Sequence, residues 1–141
     1  MFAYIKALIA GLLSIIVFHQ GLLWGLNQLD IVEATPWSLA SVGGFGMPVL
    51  AWLCIWGAVW GVVLWPLIRN AQSAGYYVGA ILLSAILPTL VAFSLVPLAR
   101  GVSIDSLLAG LTLARIGVAM ALNGAFGLGL ALFMRVMHPP R

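Results

Sequence analysis

The sequence predicts an all-α integral membrane protein, a four-transmembrane-helix bundle, from three observations. Only 6% of its 141 residues are charged and 64% are hydrophobic, whereas a soluble domain carries roughly 25% charged residues. The mean hydropathy is +1.18. Apolar stretches near the length of about 20 residues that a spanning helix needs take up almost the whole chain. We therefore expect a single membrane domain over residues 1–141, with any activity in or at the membrane.

The four predicted spans cover residues 7–29, 47–68, 76–98 and 104–137. The first lacks the small-residue cleavage site of a signal peptide, so we expect it to be retained as a helix. Pro48 suits the first turn of the second span, where a missing N–H costs nothing. Pro88 is expected to kink the third span. Ser103 or Asp105 would cap the fourth span, and the prolines at 139–140 would end it.

The connection between the first two spans, residues 30–46, is the longest in the chain. Within it, Thr35, Pro36 and Trp37 have the properties of a helix cap, a first-turn proline and an interfacial tryptophan. We therefore expect a short interfacial helix in this first loop.

The distribution of basic residues predicts the orientation. The side that holds the two termini carries Lys6, Arg69, Arg135 and Arg141. The opposite side carries Arg100 together with the acidic residues Asp30, Glu33 and Asp105. Because cytoplasmic loops are enriched in Lys and Arg, we expect both termini in the cytoplasm. A bacterial inner membrane is the natural location for such a multi-pass chain.

Composition and motifs argue against several classes of function. The net charge is +3, but the basic residues are scattered singly, so no basic stripe is present to bind nucleic acid. The lone Cys54 cannot form an internal disulfide. The sequence contains no P-loop, HExxH or Ser-His-Asp set. We therefore predict no catalytic residues and no metal, and the sequence requires no cofactor.

Five polar residues are candidates for a ligand- or ion-binding site near the middle of the membrane. At 1.5 Å per residue, His19 and Gln20 would lie about 18 Å along the first helix. Arg115 would lie roughly 16 Å along the fourth helix, at nearly the same depth. Thr89 is predicted near that level, and Asn123 lies two turns beyond Arg115 on the same helix face.

Two interpretations of Arg115 are open. An arginine inside a membrane is costly and must face protein or water, so it could bind an anion, a carboxylate or the carbonyl of a quinone-like ring. Alternatively, its side chain could extend to Asp30 or Glu33 and hold the long loop in place.

Trp52, Trp56 and Trp60 form a second feature, because a spacing of four residues places all three on one face of the second helix. Tryptophan is usually found at the membrane interfaces. This aromatic wall could bind a ring-bearing lipid, a quinone, a carotenoid or a partner helix. A packed or lipid-facing stripe is the simpler interpretation.

Small residues are spaced for close packing between helices. These helix-packing residues are Gly21 and Gly25 on the first span, Gly57 and Gly61 on the second, and Gly117, Ala121, Ala125 and Gly129 on the fourth. Such ridges let backbones approach each other, either within one chain or between chains.

The two halves of the sequence also align with a shift of 70 residues. The shift superimposes Ser14 on Ser84 and Gly57 on Gly127. Matches of this kind arise easily in a chain rich in Leu, Ala and Gly, so a duplication is a hypothesis only.

The favoured function is a non-catalytic accessory subunit that packs with itself, as a homo-oligomer, or within a larger membrane complex. The alternative is a homo-oligomeric channel or carrier for an anion or small polar solute, built around Arg115, His19 and Gln20. The third hypothesis is a redox subunit that binds a quinone or pigment at His19 and the tryptophan wall.

The predicted orientation can be tested by cysteine labelling in a Cys54→Ala background. A cysteine at Ser38 should react with an impermeant reagent added outside the cell, and a cysteine at Ser73 should not, because the basic residues retain the Ser73 loop in the cytoplasm. Labelling of Ser73 but not of Ser38 would show the reverse orientation.

Overall fold

The computed structural model of the chain describes residues 1–42 and 46–138, which are mostly helical (78%). Four helices are long and apolar enough to cross a membrane. We call them spans 1 to 4, and they cover Phe2–Gln28, Val49–Ile68, Ser73–Ala99 and Leu113–Met137. The prediction of four spanning helices is therefore confirmed. The predicted helix stop at residues 139–140 lies outside the described residues.

Spans 1 and 3 are each made of more than one element. Span 1 consists of α1 (Phe2–Ser14), a π-helical segment (Ile15–His19) and α2 (Gln20–Gln28). Span 2 is α3 (Val49–Ile68), and span 3 consists of α4 (Ser73–Phe93) and α5 (Leu95–Ala99). A short helix, α6 (Ile104–Ala109), precedes span 4, which is α7 (Leu113–Met137). Two short strands, β1 (Ser41–Val42) and β2 (Met47–Pro48), pair antiparallel with Ser41 opposite Pro48 before α3 begins.

The fourth span begins later than the predicted residue 104. Ser103 does act as a cap, because its hydroxyl accepts a hydrogen bond from the Ser106 N–H at 3.3 Å, but the helix it starts ends at Ala109. A second cap, Thr112, accepts from the Arg115 N–H at 3.2 Å and starts the spanning helix. Two successive caps divide the stretch that the sequence predicts as one span.

The two prolines predicted to shape spans 2 and 3 take different positions in their helices. Pro48 lies in β2 and is the N-cap residue of α3, with an extended ψ of 141°, so it precedes the first helical turn. The helix of span 3 continues through Pro88 and is interrupted at Ser94, where φ is −123° and ψ is −73°.

The expected interfacial helix at residues 35–37 is wrong. Pro36 and Trp37 form a turn, and Trp37 has a positive φ of 48°, which is outside the helical region. The physical reason is the set of hydrogen bonds that this turn makes with span 1. The backbone N–H of Trp37 donates to Oε1 of Gln20 at 2.7 Å, and its indole N–H donates to the carbonyl of Ile16 at 2.9 Å.

Span 1 packs closely with span 2 and with span 4, and span 3 packs closely with span 4. Two of these pairs, span 1 with span 2 and span 3 with span 4, meet backbone to backbone at glycines. A methyl group added at Gly61 of span 2 would overlap the carbonyl oxygen of Ala7, and one added at Gly127 of span 4 would overlap that of Ala80. Backbone therefore touches backbone in both pairs.

Spans 1 and 4 pack as closely and join the two pairs, whereas the neighbouring spans 2 and 3 make few contacts. The Ser14 hydroxyl of span 1 donates to the Phe126 carbonyl of span 4 at 2.5 Å. The largest fully buried apolar side chains are Leu64, Ile68, Phe126, Leu130 and Met134. They cluster toward the end of the bundle that holds the two termini, so the other end is packed less completely.

Glycine substitutions test the two close pairs. Gly61→Ala and Gly127→Ala should each destabilise the protein by about 1–3 kcal/mol, since the added methyl group meets backbone that cannot move aside. Gly117→Ala is the matched control, because no atom lies within 4 Å of its methyl position. Thermal unfolding in a mild detergent measures the effect. Equal melting temperatures for all three variants would contradict this packing.

Candidate functional site

The less completely packed half of the bundle contains a cavity of about 210 Å³ between span 2 and span 3. We call it the tryptophan cavity, because Trp52, Trp56 and Trp60 of α3 all line it. The opposite wall is made by Pro88, Val91, Ala92 and Val96 of span 3. Two polar side chains, His19 of span 1 and Asn123 of span 4, complete the lining together with Ile15, Leu53, Gly57 and Phe126. The cavity therefore receives residues from all four spans.

The aromatic wall follows from helix geometry. Residues four apart lie on one helix face, and the ring centroids of Trp52 and Trp56 are 5.9 Å apart at an interplanar angle of 81°. This edge-to-face arrangement is favourable for two aromatic rings. All three tryptophans are half-buried, so their exposed ring surface is available to the cavity.

His19 reaches the cavity at the end of the π-helical segment of span 1. A π-helical turn is wider than an α-helical turn and is often found at functional sites. His19 and Gln20 are both buried, with 9% and 2% of their surfaces exposed. Such burial of polar side chains in an apolar bundle requires hydrogen-bond partners.

The hydrogen bond from the Trp37 N–H to Gln20 fixes which end of the Gln20 amide faces His19. Oε1 of Gln20 accepts from the Trp37 N–H, which leaves Nε2 of the amide 3.4 Å from Nδ1 of His19. An amide nitrogen can only donate, so this contact is a hydrogen bond in the His19 tautomer that carries its proton on Nε2 and accepts at Nδ1. In this arrangement the neutral imidazole has an N–H donor remaining for a ligand.

Asn123 and Thr89 form the second polar pair. The Asn123 amide donates to the Thr89 hydroxyl at 2.9 Å, and Thr89 is buried next to the cavity residue Pro88. This bond orients the amide of Asn123 and leaves its carbonyl oxygen and second N–H for other partners.

The structure brings four of the five predicted polar residues to one region and leaves Arg115 outside it. Arg115 lies in the first turn of α7 and is exposed, since the helix begins at Leu113 and not at residue 104. Its guanidinium donates to the Gly110 carbonyl and lies 5.8 Å from the ring centroid of Phe93. Within the described part of the chain, these contacts replace both the predicted midplane site and the predicted link to Asp30 or Glu33.

The predicted packing residues divide into two groups. Gly57, Gly61 and Gly129 lie in close contact with span 1. Gly21, Gly25 and Gly117 have open space beside them, Ala121 is exposed and Ala125 is half-buried. Gly127, which the predicted ridge did not include, contacts span 3 closely. Its alignment with Gly57 under the 70-residue shift was the one signal in the sequence for this role.

The sequence also gave no indication that the long loop would reach the polar residues. Trp37 joins the loop to Gln20, and Asn27 supports the same loop by donating to the carbonyls of Val32 and Ala34 at 3.0 and 3.3 Å. Among the described residues no group of three potential metal ligands is found.

Comparison with protein-family models, with curated proteins and with solved structures gives no match for this chain.

The role of Gln20 can be tested by substitution. Gln20→Leu removes the acceptor for the Trp37 N–H and should destabilise the protein by about 1–3 kcal/mol, because buried polar partners are left unpaired. The loop at residues 30–41 should also become more sensitive to protease. Gln28→Leu, at the exposed end of α2, is the control and should leave the cleavage rate unchanged. Equal cleavage of both variants would argue that the hydrogen bond between Trp37 and Gln20 does not hold the loop.

Proposed function

We propose that this chain is a membrane-embedded binding protein for an apolar lipid whose ring carries a hydrogen-bonding oxygen, as in the quinone class. The observation that carries the proposal is the tryptophan cavity, where three aromatic side chains and two polar side chains meet. Apolar pockets with a few converging polar groups are the usual form of small-molecule sites.

The size of the cavity supports a ring as the enclosed part of the ligand. Pockets that enclose a whole drug-sized molecule have volumes of roughly 300–1,000 Å³, and this cavity has about 210 Å³. A single ring could be enclosed there, while a hydrocarbon tail would remain in the lipid.

The cavity also has a route to the lipid. It lies where spans 2 and 3 make few contacts, and Ala92 on its wall is exposed. A ligand dissolved in the bilayer could enter sideways between the two spans, without crossing the polar loop that covers the end of the bundle.

Hydrogen bonding would orient the ligand. The Nε2–H of His19 can donate to a ring carbonyl or hydroxyl, and Asn123 offers both a donor and an acceptor. Stacking on the tryptophan rings would supply most of the contact area. These groups bind and orient a ring, and the proposal assigns them no reaction.

Titration with a short-chain benzoquinone tests the proposal, with quenching of tryptophan fluorescence as the measurement. Binding should saturate in the wild-type protein. His19→Leu and Asn123→Leu should each weaken it about fivefold to tenfold, as expected for the loss of one hydrogen bond. Ala92→Phe should abolish saturation, since a ring at this exposed position blocks the cavity.

Ala114→Phe is the matched control for Ala92→Phe. It adds the same ring on the exposed surface of span 4, away from the cavity. It should bind like the wild-type protein. Quenching that rises linearly with quinone in every variant would indicate only partition into the detergent and would contradict the proposal.

A packing subunit is the second candidate, and it is favoured by one specific surface. Gly21 and Gly25 of α2 have open space beside them, and Trp24 between them is 53% exposed. A partner helix could approach closely along these glycines. The mass of the assembly in a mild detergent, compared between wild type and Gly21→Leu, tests this candidate. Both candidate functions are compatible with the predicted orientation, in which both termini lie in the cytoplasm.

A further inference from the structure

The end of the bundle opposite the long loop contains a second concavity, which the proposed function does not use. It is a recess of about 880 Å³ at the end that holds both termini. We call it the basic recess. Its cationic and polar lining residues are Arg69, Asn70, Gln72, Ser73, Arg135 and His138. Lys6 lies at the same end, where its ammonium donates to the Met137 carbonyl.

We propose that the basic recess binds a phosphate-bearing anion, either a lipid headgroup or free phosphate. The charge balance at this end is the first argument. The chain has three acidic side chains, Asp30, Glu33 and Asp105, and all three lie in the connections at the opposite end of the spans. The arginines of the recess therefore have no side-chain carboxylate of their own chain as a counter-charge.

Among the residues that the structure describes, Arg135 contacts aromatic rings and no hydrogen-bond acceptor. Its guanidinium carbon lies 4.4 Å from the ring centroid of Tyr76 and 5.9 Å from that of Tyr77. The Tyr76 hydroxyl donates to the Ala131 carbonyl at 3.0 Å, which fixes the ring under the guanidinium. Nε of Arg135 is buried and has no hydrogen-bond partner among the described residues. Contact with the ring faces satisfies the charge in part, but it provides no acceptor for the N–H groups.

The N-terminus of span 3 adds partial positive charge to the basic recess. The first N–H groups of a helix have no partner within the helix and carry a partial positive charge. Gln72 and Ser73, at the start of α4, line the recess, and the Gln72 side chain makes no capping hydrogen bond. A helix N-terminus beside two arginines is a favourable environment for a phosphate group.

Thermal unfolding in a neutral detergent tests the proposal on the wild-type protein. Phosphatidylglycerol should raise the melting temperature, and phosphatidylcholine at the same concentration should not. Inorganic phosphate is compared with chloride at equal ionic strength in a second arm. Stabilisation by both phosphatidylglycerol and phosphate would identify a general phosphate site, and stabilisation by the lipid alone would identify a headgroup site. No stabilisation in either arm would overturn the proposal.

Three charge-neutralising variants locate the effect. Arg69→Gln and Arg135→Gln should each weaken phosphatidylglycerol binding about fivefold, which is the usual contribution of one basic residue near a lipid surface. Arg100→Gln removes the same charge at the opposite end and should bind like the wild-type protein. An equal loss in all three variants would show that net charge alone attracts the lipid and would overturn the proposal.

A carboxylate at the C-terminus is a competing anion, because His138, the last described residue, lines the recess. Extension of the C-terminus by ten Gly and Ser residues moves this carboxylate away. Lipid binding within twofold of the wild-type value would support an external anion as the occupant. An increase of more than tenfold on extension would show that the terminal carboxylate fills the recess in the native chain and would overturn the proposal.

Discussion

Direct backbone contact within the two helix pairs is the constraint on which the rest of this bundle depends. At Gly61 against Ala7 and at Gly127 against Ala80 there is no space for a side chain between neighbouring helices. Helices in lipid gain little from the hydrophobic effect, so dispersion at such short separations is a main source of attraction. Span 2 presents tryptophans toward span 3. A ridge of glycines would be needed there for the two backbones to come into contact. These two spans therefore remain apart, and the tryptophan cavity lies between them.

Polar side chains connect this open region to the loop above it. Gln20 holds the Trp37 turn with its oxygen and contacts His19 with its nitrogen, so a single amide couples loop position to the cavity lining. A change in the loop would alter the hydrogen bonding of His19. The Asn123–Thr89 bond has no such link to the loop. The two polar groups of the cavity therefore differ in their connection to the loop, since only His19 is linked to it through Gln20.

The sequence predicted the number and approximate position of the spans, because hydropathy over about 20 residues depends little on detail. It placed the start of span 4 wrongly, since hydropathy does not register two caps such as Ser103 and Thr112 in succession. That error of nine residues moved Arg115 from the helix end to the midplane and produced a site that the structure does not contain. The tryptophan stripe was visible from its spacing, but its meeting with His19 and Asn123 required knowledge of which spans are neighbours. The role of Trp37 depends on a contact between distant segments, which no local pattern encodes.

The shift of 70 residues that aligns Ser14 with Ser84 also aligns Phe126 with Trp56. Ser14 donates to the Phe126 carbonyl and closes the boundary between spans 1 and 4. The Ser84 hydroxyl instead lies against Gly127 of span 4, buried without a hydrogen-bond partner among the described residues, and Trp56 lines the cavity. The boundary between spans 1 and 4 is therefore closed by a hydrogen bond, whereas the boundary between spans 2 and 3 is open and contains the tryptophan cavity. The cavity residues Trp52, Trp56 and Trp60 consequently face space at this boundary, where their counterparts between spans 1 and 4 face a neighbouring helix.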